Sequence, residues 1–131
     1  MGQDFDDGLI IRKKVMGEAR VASALDGADD FSRGFQEWVT ASCWGAVWGR
    51  EGLSHKTRSM ITVAMLAALP RPNELKLHVK GALRNGVTTE EIREVLMQVA
   101  VYAGAPTGVD GFRIAREAIE EYQAESGPAA T

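Results

Sequence analysis

Apolar residues recur at helical spacing along this chain, and the clearest stretch covers residues 88–103. Thr88 and Glu91 have the spacing of a capping box at its start, and Gly86 suits the left-handed residue that ends a preceding helix. Apolar side chains then return every three or four residues on one face: Ile92, Val95, Leu96, Val99, Ala100 and Ala103. The pattern predicts an amphipathic helix that packs this face on a core.

Glycine, proline and aspartate clusters divide the whole chain into helix-sized segments. Breaks follow Gly27 and Gly86 and fall at residues 49–52, 70–72, 104–106 and 127–128. The segments between them are roughly 14 to 20 residues long, which suits helices and exceeds typical strands. We therefore predict an all-α fold with about six helices, in a single domain over residues 1–131 with its core at 31–119. Residues 1–7 and 125–131 are expected to be frayed ends.

Residues 54–69 predict a helix without a polar face. From Met60 to Leu69 the run is apolar apart from Thr62. A helix that is apolar all round must be covered, and a small six-helix monomer can hardly enclose one completely. We expect that a second copy of the chain covers part of it, in a closed homo-oligomer. The alternative is a central helix enclosed by its own chain.

Composition and charge exclude several classes of protein. The chain has 131 residues, of which 45% are hydrophobic and 25% charged, as in ordinary soluble domains. A net charge of -3 provides no basic field for nucleic acid or for an anionic membrane surface. Residues 1–7 are acidic and do not resemble a signal peptide, and the run from Met60 to Leu69 is about half the length needed to cross a bilayer. With one cysteine, Cys43, no intramolecular disulfide can form, so we expect a cytoplasmic protein.

Residues 72–86 carry the strongest chemical signal. Pro72 fits the first position of a helix, and at about 100° per residue the segment divides into three stripes. One is apolar, one is basic and predicted to be solvated (Lys76, Lys80 and Arg84), and the third holds Glu74, His78, Gly81 and Asn85.

Glu74 and His78 stand one helical turn apart on that third stripe. A carboxylate at this distance can fix the tautomer of an imidazole and raise its pKa, which suits acid–base catalysis. The alternative is an ordinary surface ion pair. Metal binding is less favoured, because two ligands do not complete a site and the other histidine, His55, lies in a basic turn.

A second cluster, within residues 31–50, consists of Trp38, Trp44, Trp48 and Arg50. Trp44 and Trp48 share a helix face, and Arg50 closes the segment. An aromatic wall with an arginine at its rim suits a small planar anion, so Trp44, Trp48 and Arg50 are candidate substrate-binding residues. Tryptophans at helical spacing also commonly form a core, which is the alternative.

Two single residues complete the candidates. Tyr102 ends an apolar helix before the turn at 104–106, and its hydroxyl either enters a pocket or bonds a neighbouring carbonyl. Cys43 has no nearby cysteine or base, which favours a small buried apolar residue over a nucleophile.

Four stretches, taken together in their order, resemble the carboxymuconolactone decarboxylase family: residues 58–65, 73–78, 86–95 and 101–106. Residues 35–36 and 44–53 resemble the decarboxylase subgroup of that family. The resemblance implies an alkylhydroperoxidase D-like helical fold, assembled as trimers or hexamers. Glu74 and His78 match the family's Glu-x-x-x-His motif. The peroxidase relatives carry a Cys-x-x-Cys pair that this chain lacks, so peroxide reduction through a disulfide is not expected.

The resemblance also implies a reaction. It is the decarboxylation of 4-carboxymuconolactone, or a close lactone or keto-acid analogue, to an enol lactone in the β-ketoadipate pathway of aromatic acid catabolism. No metal or cofactor is implied. We hypothesise that His78 donates the proton, oriented by Glu74, while Arg50 holds a substrate carboxylate and Trp44 and Trp48 keep water away.

Two departures leave the exact substrate open. Ala46 stands where the subgroup commonly has an acidic residue, and an aromatic residue is common near Ser42. Two other functions stay open as alternatives: a non-catalytic oligomeric protein that binds small anions, and a lactone hydrolase or isomerase that uses the same pocket.

Overall fold

The computed structural model describes residues 2–126, and across them the chain forms α-helices, one π-helical segment and no strand. The prediction of an all-α fold is confirmed. The α-helices are α1 (Gln3–Met16), α2 (Glu18–Asp26), α3 (Arg33–Val39), α4 (His55–Ala68), α5 (Pro72–Arg84), α6 (Thr89–Ala103) and α7 (Ala105–Ser126). The π-helical segment, Thr40–Val47, continues α3 without a break.

The described residues hold seven α-helices rather than about six, and the difference arises at Gly17. This residue has φ +92° and separates α1 from α2. Glycine adopts such angles without the steric cost that other residues meet, so the chain turns here although no proline or polar cluster marks the place. Residues 3–7, for which the sequence predicts a frayed end, form the start of α1. At the other end α7 includes residues 125 and 126, and residues 127–131 lie outside the described part.

The chain divides into two compact units, one up to His55 and one from Lys56 onward. In the first unit, α1 packs on the π-helical segment with the two backbones in direct contact. A Cβ at Gly8 would lie 2.0 Å from the carbonyl oxygen of Thr40, and a Cβ at Gly45 would lie 2.0 Å from that of Asp4. Arg12 strengthens this contact by donating a 2.9 Å hydrogen bond from Nη1 to Thr40 Oγ1. That the whole chain is one domain stays a prediction.

The π-helical segment is defined by hydrogen bonds that skip one more residue than in an α-helix. The backbone N–H of Trp48 donates to the carbonyl of Cys43, five residues earlier, at 3.0 Å. Trp44 and Trp48 stack with their ring centroids 4.9 Å apart, and both are buried with Val15 of α1. This small cluster is the core of the first unit.

The core of the second unit lies between α4, α5, α6 and α7. Its largest fully buried side chains are Val63, Leu75, Val79, Ile92 and Leu96. The predicted start of α6 is confirmed, because Thr88 Oγ1 accepts from the backbone N–H of Glu91 at 3.0 Å while Glu91 Oε1 accepts from that of Thr88 at 2.9 Å. Gly86 has the left-handed φ, +87°, that the sequence predicts.

The basic stripe of α5 is not solvated as predicted, because it lies against acidic residues of α7. Lys80 Nζ contacts Glu121 Oε1 at 2.9 Å and Glu125 Oε1 at 3.0 Å, and Lys76 also pairs with Glu121. Arg84 lies over the ring of Tyr122, 5.8 Å from its centroid. The spacing of the basic residues predicts the stripe itself, whereas its partners are about 40 residues away in sequence.

The apolar helix α4 is not fully covered by the other residues of the described range 2–126. Ile61 is 42% exposed and Met65 is 50% exposed, and both line an open apolar groove shared with α6. No helix among residues 2–126 has the length and apolar character needed to cross a membrane.

Candidate functional site

The third stripe of α5 places Glu74, His78 and Gly81 on one face of the helix. Pro72 stands in the first turn of α5, as predicted, and its missing N–H costs nothing there. Glu74 is exposed in the same turn, where the positive end of the helix dipole favours a carboxylate. His78 lies one turn further on and is largely buried, and Gly81 is buried beyond it. The stripe therefore runs from solvent into the edge of the core.

Burial sets the charge of His78. It lowers the pKa of the imidazole from 6.5 to about 4, although the nearby charge of Glu74 raises it. The charge of Glu74 does raise the pKa of His78, as predicted. The net shift is nevertheless downward, so the predicted rise in the pKa is wrong, because desolvation outweighs the effect of one exposed carboxylate. At neutral pH His78 is uncharged.

Asn85 follows the last residue of α5 and continues the stripe. Its Nδ2 donates a 2.9 Å hydrogen bond to Oγ of Ser59, a fully buried residue of α4. The Oδ1 atom of Asn85 is also buried, and no group among residues 2–126 donates a hydrogen bond to it. Sequence reasoning placed Asn85 on the stripe but missed Ser59. The available signal was that Ser59, a residue with a small hydroxyl side chain, directly precedes the apolar run that begins at Met60.

The three tryptophans lie in the first unit, where they do not all pack together. Trp44 and Trp48 form its buried core, which is the alternative that the sequence left open. Trp38 of α3 is 59% exposed and lies against Phe35, with ring centroids 6.0 Å apart. A role for Trp44 and Trp48 in substrate binding stays a prediction.

His55 holds two parts of the first unit together. Its Nδ1 lies 2.8 Å from Lys14 Nζ, and its Nε2 lies 3.1 Å from the carbonyl oxygen of Trp48. Lysine can only donate and a carbonyl can only accept, so the ring carries its proton on Nε2. Among residues 2–126, no three His, Cys, Asp or Glu side chains are grouped so that they could hold a metal ion.

Arg50 and Tyr102 are exposed on their respective units. Arg50 lines an open pocket of the first unit, together with Asp4 and Asp7. Tyr102 is 82% exposed and lines the apolar groove between α4 and α6, and the described residues that line this groove include neither Glu74 nor His78. The substrate-binding roles of Arg50 and Tyr102 stay predictions.

Cys43 is half-buried in the π-helical segment. Burial raises the pKa of its thiol, against the lowering effect of Arg12. A thiol in this state is a poor nucleophile, because the thiolate is the reactive form.

Comparison with known proteins identifies the family. The model of the carboxymuconolactone decarboxylase family matches residues 33–117, which include the whole π-helical segment and the stripe that carries Glu74 and His78. The chain belongs to this family. The resemblance drawn from short motifs is thereby confirmed.

Relatives in the carboxymuconolactone decarboxylase family include two named decarboxylases. The chain is 37% identical to 4-carboxymuconolactone decarboxylase of Acinetobacter baylyi over 119 residues, which cover 91% of this chain and 89% of that protein. It is 40% identical to nitrosuccinic acid decarboxylase npaB of Metarhizium robertsii over 117 residues, which cover 89% and 82% respectively. An uncharacterized 15.0 kDa protein of Paracoccus denitrificans is 33% identical over 85 residues, 63% of each chain. The two named decarboxylases and the family match support a carboxy-lyase activity.

Proposed function

We propose that this chain decarboxylates 4-carboxymuconolactone, or a close lactone or keto-acid analogue, without a cofactor. The observation that carries the proposal is the similarity to 4-carboxymuconolactone decarboxylase across about nine tenths of both chains. The stripe that brings the exposed Glu74 to within one turn of the largely buried His78 supports it, because such a pair suits proton transfer in a site with little water. In this proposal the reaction belongs to the β-ketoadipate pathway, and the protein works in the cytoplasm.

Decarboxylation of this lactone requires an electron sink and a proton donor. The bond between the ring carbon and its carboxylate breaks, and carbon dioxide leaves. The electron pair of that bond is delocalised through the adjacent double bond onto the carbonyl oxygen of the lactone. The resulting dienolate is then protonated on carbon at the other end of the conjugated system. The site must therefore stabilise negative charge and deliver one proton.

His78 delivers that proton in this proposal, and it must first acquire it. The imidazole is neutral in the substrate-free protein, since its pKa is about 4. A dianionic substrate beside it favours the charged imidazolium, so binding raises this pKa and draws a proton from solvent. Glu74 orients the ring and helps to hold the charge. Before the proton is released to carbon, the same N–H stabilises the oxygen on which charge accumulates.

Nitrosuccinate is the second candidate substrate, because the chain is 40% identical to a nitrosuccinic acid decarboxylase. Its nitro group stands on the carbon beside one carboxylate and can take up the electron pair when that carboxylate leaves. Both candidate substrates are thus dianions with an electron sink next to the departing carboxylate. They differ in the shape of that sink.

The other predicted residues take supporting roles. Arg50 anchors a substrate carboxylate through its exposed guanidinium. Tyr102 contributes its hydroxyl, and Trp44 and Trp48 shape the unit that carries Arg50. A homo-oligomer, trimer or hexamer, is supported by the exposed apolar residues of α4 and α6, which form the kind of patch that subunits bury.

The deciding experiment is turnover of both acids by purified protein, with carbon dioxide release measured alongside the organic product. We expect turnover of 4-carboxymuconolactone, and a loss in kcat/KM of at least about tenfold in His78→Ala. A smaller loss would refute the role of His78. Turnover of nitrosuccinate instead would reassign the substrate, product without carbon dioxide would indicate a hydrolase or isomerase, and binding without turnover would indicate a non-catalytic anion-binding protein.

A further inference from the structure

A small cleft lies in the second unit, where the end of α4 meets the starts of α5 and α7. Its volume is about 210 Å³. The wall is mostly apolar, and it includes Leu66 of α4, Leu75 of α5 and Ile114 of α7. The residues that line the cleft include neither Glu74 nor His78, so the proposed reaction does not use it.

The rim of the cleft is held rigidly. Three prolines line it: Pro70, Pro72 and Pro106. The ring of each proline fixes one backbone dihedral angle. Between the first two, the N–H of Arg71 donates to the carbonyl of Leu66 at 2.9 Å, and the carbonyl of Arg71 accepts from the N–H of Leu75 at 2.8 Å. The backbone of Arg71 is therefore fixed on both sides.

Arg71 also lines the cleft, and its guanidinium is unused by the described protein. No residue among 2–126 supplies it with a hydrogen bond, an ion pair or an aromatic ring. By contrast, Lys76 and Lys80 of the same unit both pair with Glu121. A guanidinium presents N–H donors in a planar fork that matches the two oxygens of a carboxylate. Arg71 thus offers an anion a fixed point of attachment.

A second arginine, Arg113 of α7, lines the same cleft. Its side chain is 60% exposed, and its ion pairs are long, at 3.8 Å to Asp110 Oδ1 and 3.7 Å to Glu117 Oε1. Exposed pairs of this kind contribute little to stability, so the guanidinium of Arg113 can turn towards a ligand. Asp110 lines the cleft as well and opposes an anion, but the two arginines outweigh its single charge.

We propose that this cleft binds a small carboxylic acid with an apolar body of one ring, such as benzoate. An engineered apolar cavity of about 150 Å³ binds benzene, so a cleft of about 210 Å³ admits one ring together with its carboxylate. The carboxylate bonds to Arg71 and Arg113, and the ring lies against Leu66 and Ile114. The site goes beyond the proposed function, because it binds an acid without reacting with it.

The first test is calorimetric titration of the purified protein with benzoate, acetate and benzyl alcohol. Acetate lacks the ring and benzyl alcohol lacks the charge, whereas benzoate has both. We expect benzoate to bind at least about tenfold more tightly than either of the others. No binding of benzoate, or binding no tighter than that of acetate or benzyl alcohol, would overturn the proposal.

Two variants locate the site. Arg71→Ala should weaken benzoate binding by about 10- to 100-fold, because it removes a hydrogen bond between charged groups. The matched control is Arg116→Ala, which removes the same charge from an exposed arginine of the same unit, outside the cleft and likewise without a partner among residues 2–126. A change within about threefold in Arg71→Ala, or an equal loss in Arg116→Ala, would contradict the assignment.

Asp110→Asn should change the affinity in the opposite direction. It removes the negative charge that lines the cleft and releases Arg113 from one ion pair. We expect benzoate to bind at least about threefold more tightly, an outcome that damage to the fold does not produce. Unchanged or weaker binding would count against the cleft.

Arginine modification by phenylglyoxal tests the wild-type protein directly, so the proposal stays testable if a variant does not fold. Benzoate should slow the modification of Arg71 at least about threefold, measured by peptide mass spectrometry, and leave that of Arg116 unchanged. Protection of Arg50 without protection of Arg71 would place benzoate in the proposed active site and overturn the proposal. An Arg71 that is unreactive without benzoate would also overturn it, because another subunit would then cover the cleft.

Discussion

Acid should destabilise this protein through His78, and the size of the effect follows from its burial. The pKa of the imidazole is about 4 in the folded chain and 6.5 in the unfolded one. Above pH 6.5 both states are neutral and His78 adds no pH dependence. As the pH falls below 6.5 the unfolded state binds a proton that the folded state refuses, so stability is lost until the pH passes through about 4.

The magnitude can be worked out from these two pKa values. Each unit of difference corresponds to 1.36 kcal/mol, so the full effect is roughly 3 kcal/mol, and between pH 7 and pH 4.5 it amounts to about 2 kcal/mol. Replacing His78 by glutamine, which is neutral at every pH, should remove this contribution. The measurement is the free energy of unfolding in urea at both pH values, followed by circular dichroism.

Comparing the two proteins isolates one residue from the other groups that titrate. The wild-type protein should lose about 2 kcal/mol more than His78→Gln over this interval. Glu74→Gln should lose more than the wild type, because the charge of Glu74 raises the pKa of His78 and so limits the effect. Parallel losses in wild type and His78→Gln would refute the reasoning, since they would show that the folded protein protonates His78 as readily as the unfolded chain does.

Three further outcomes test the packing. Gly45→Ala should destabilise the first unit by about 2 kcal/mol or more in thermal unfolding, because the new Cβ meets the Asp4 carbonyl, whereas Gly34→Ala has nothing within 4 Å and should be close to neutral. Thr88→Ala should cost about 1 kcal/mol of unfolding free energy through the lost cap of α6, and an unchanged value would contradict the importance of the capping box. Met65→Lys should reduce the mass measured by light scattering if α4 is covered by another subunit, and a variant that assembles like the wild type would count against that interface.

The sequence predicts those parts of the fold whose causes lie within one turn of chain. Thr88 and Glu91 satisfy each other's backbone groups, and the stripe of Glu74 and His78 follows from helical spacing. Both are local, so reading the residues in order is enough to find them.

The features that sequence reasoning missed depend on residues brought together from a distance. The net pKa of His78 depends on how deeply the surrounding helices bury it, and Lys80 meets Glu121 only because α5 lies beside α7. Gly17 carries no local mark that distinguishes it from a helical glycine. Likewise, nothing near Ser59 in the sequence reveals that it will accept a hydrogen bond from Asn85.

The π-helical segment makes the length of this stretch as important as its composition. A backbone that bonds across five residues holds one residue more than an α-helix would, and here the surplus lies between Thr40 and Val47. Deleting a residue between Thr40 and Gly45 would change the spacing of the two backbone contacts with α1, because Thr40 meets Gly8 and Gly45 meets Asp4. Tolerance to substitution in this stretch should therefore not extend to a change of even one residue in its length.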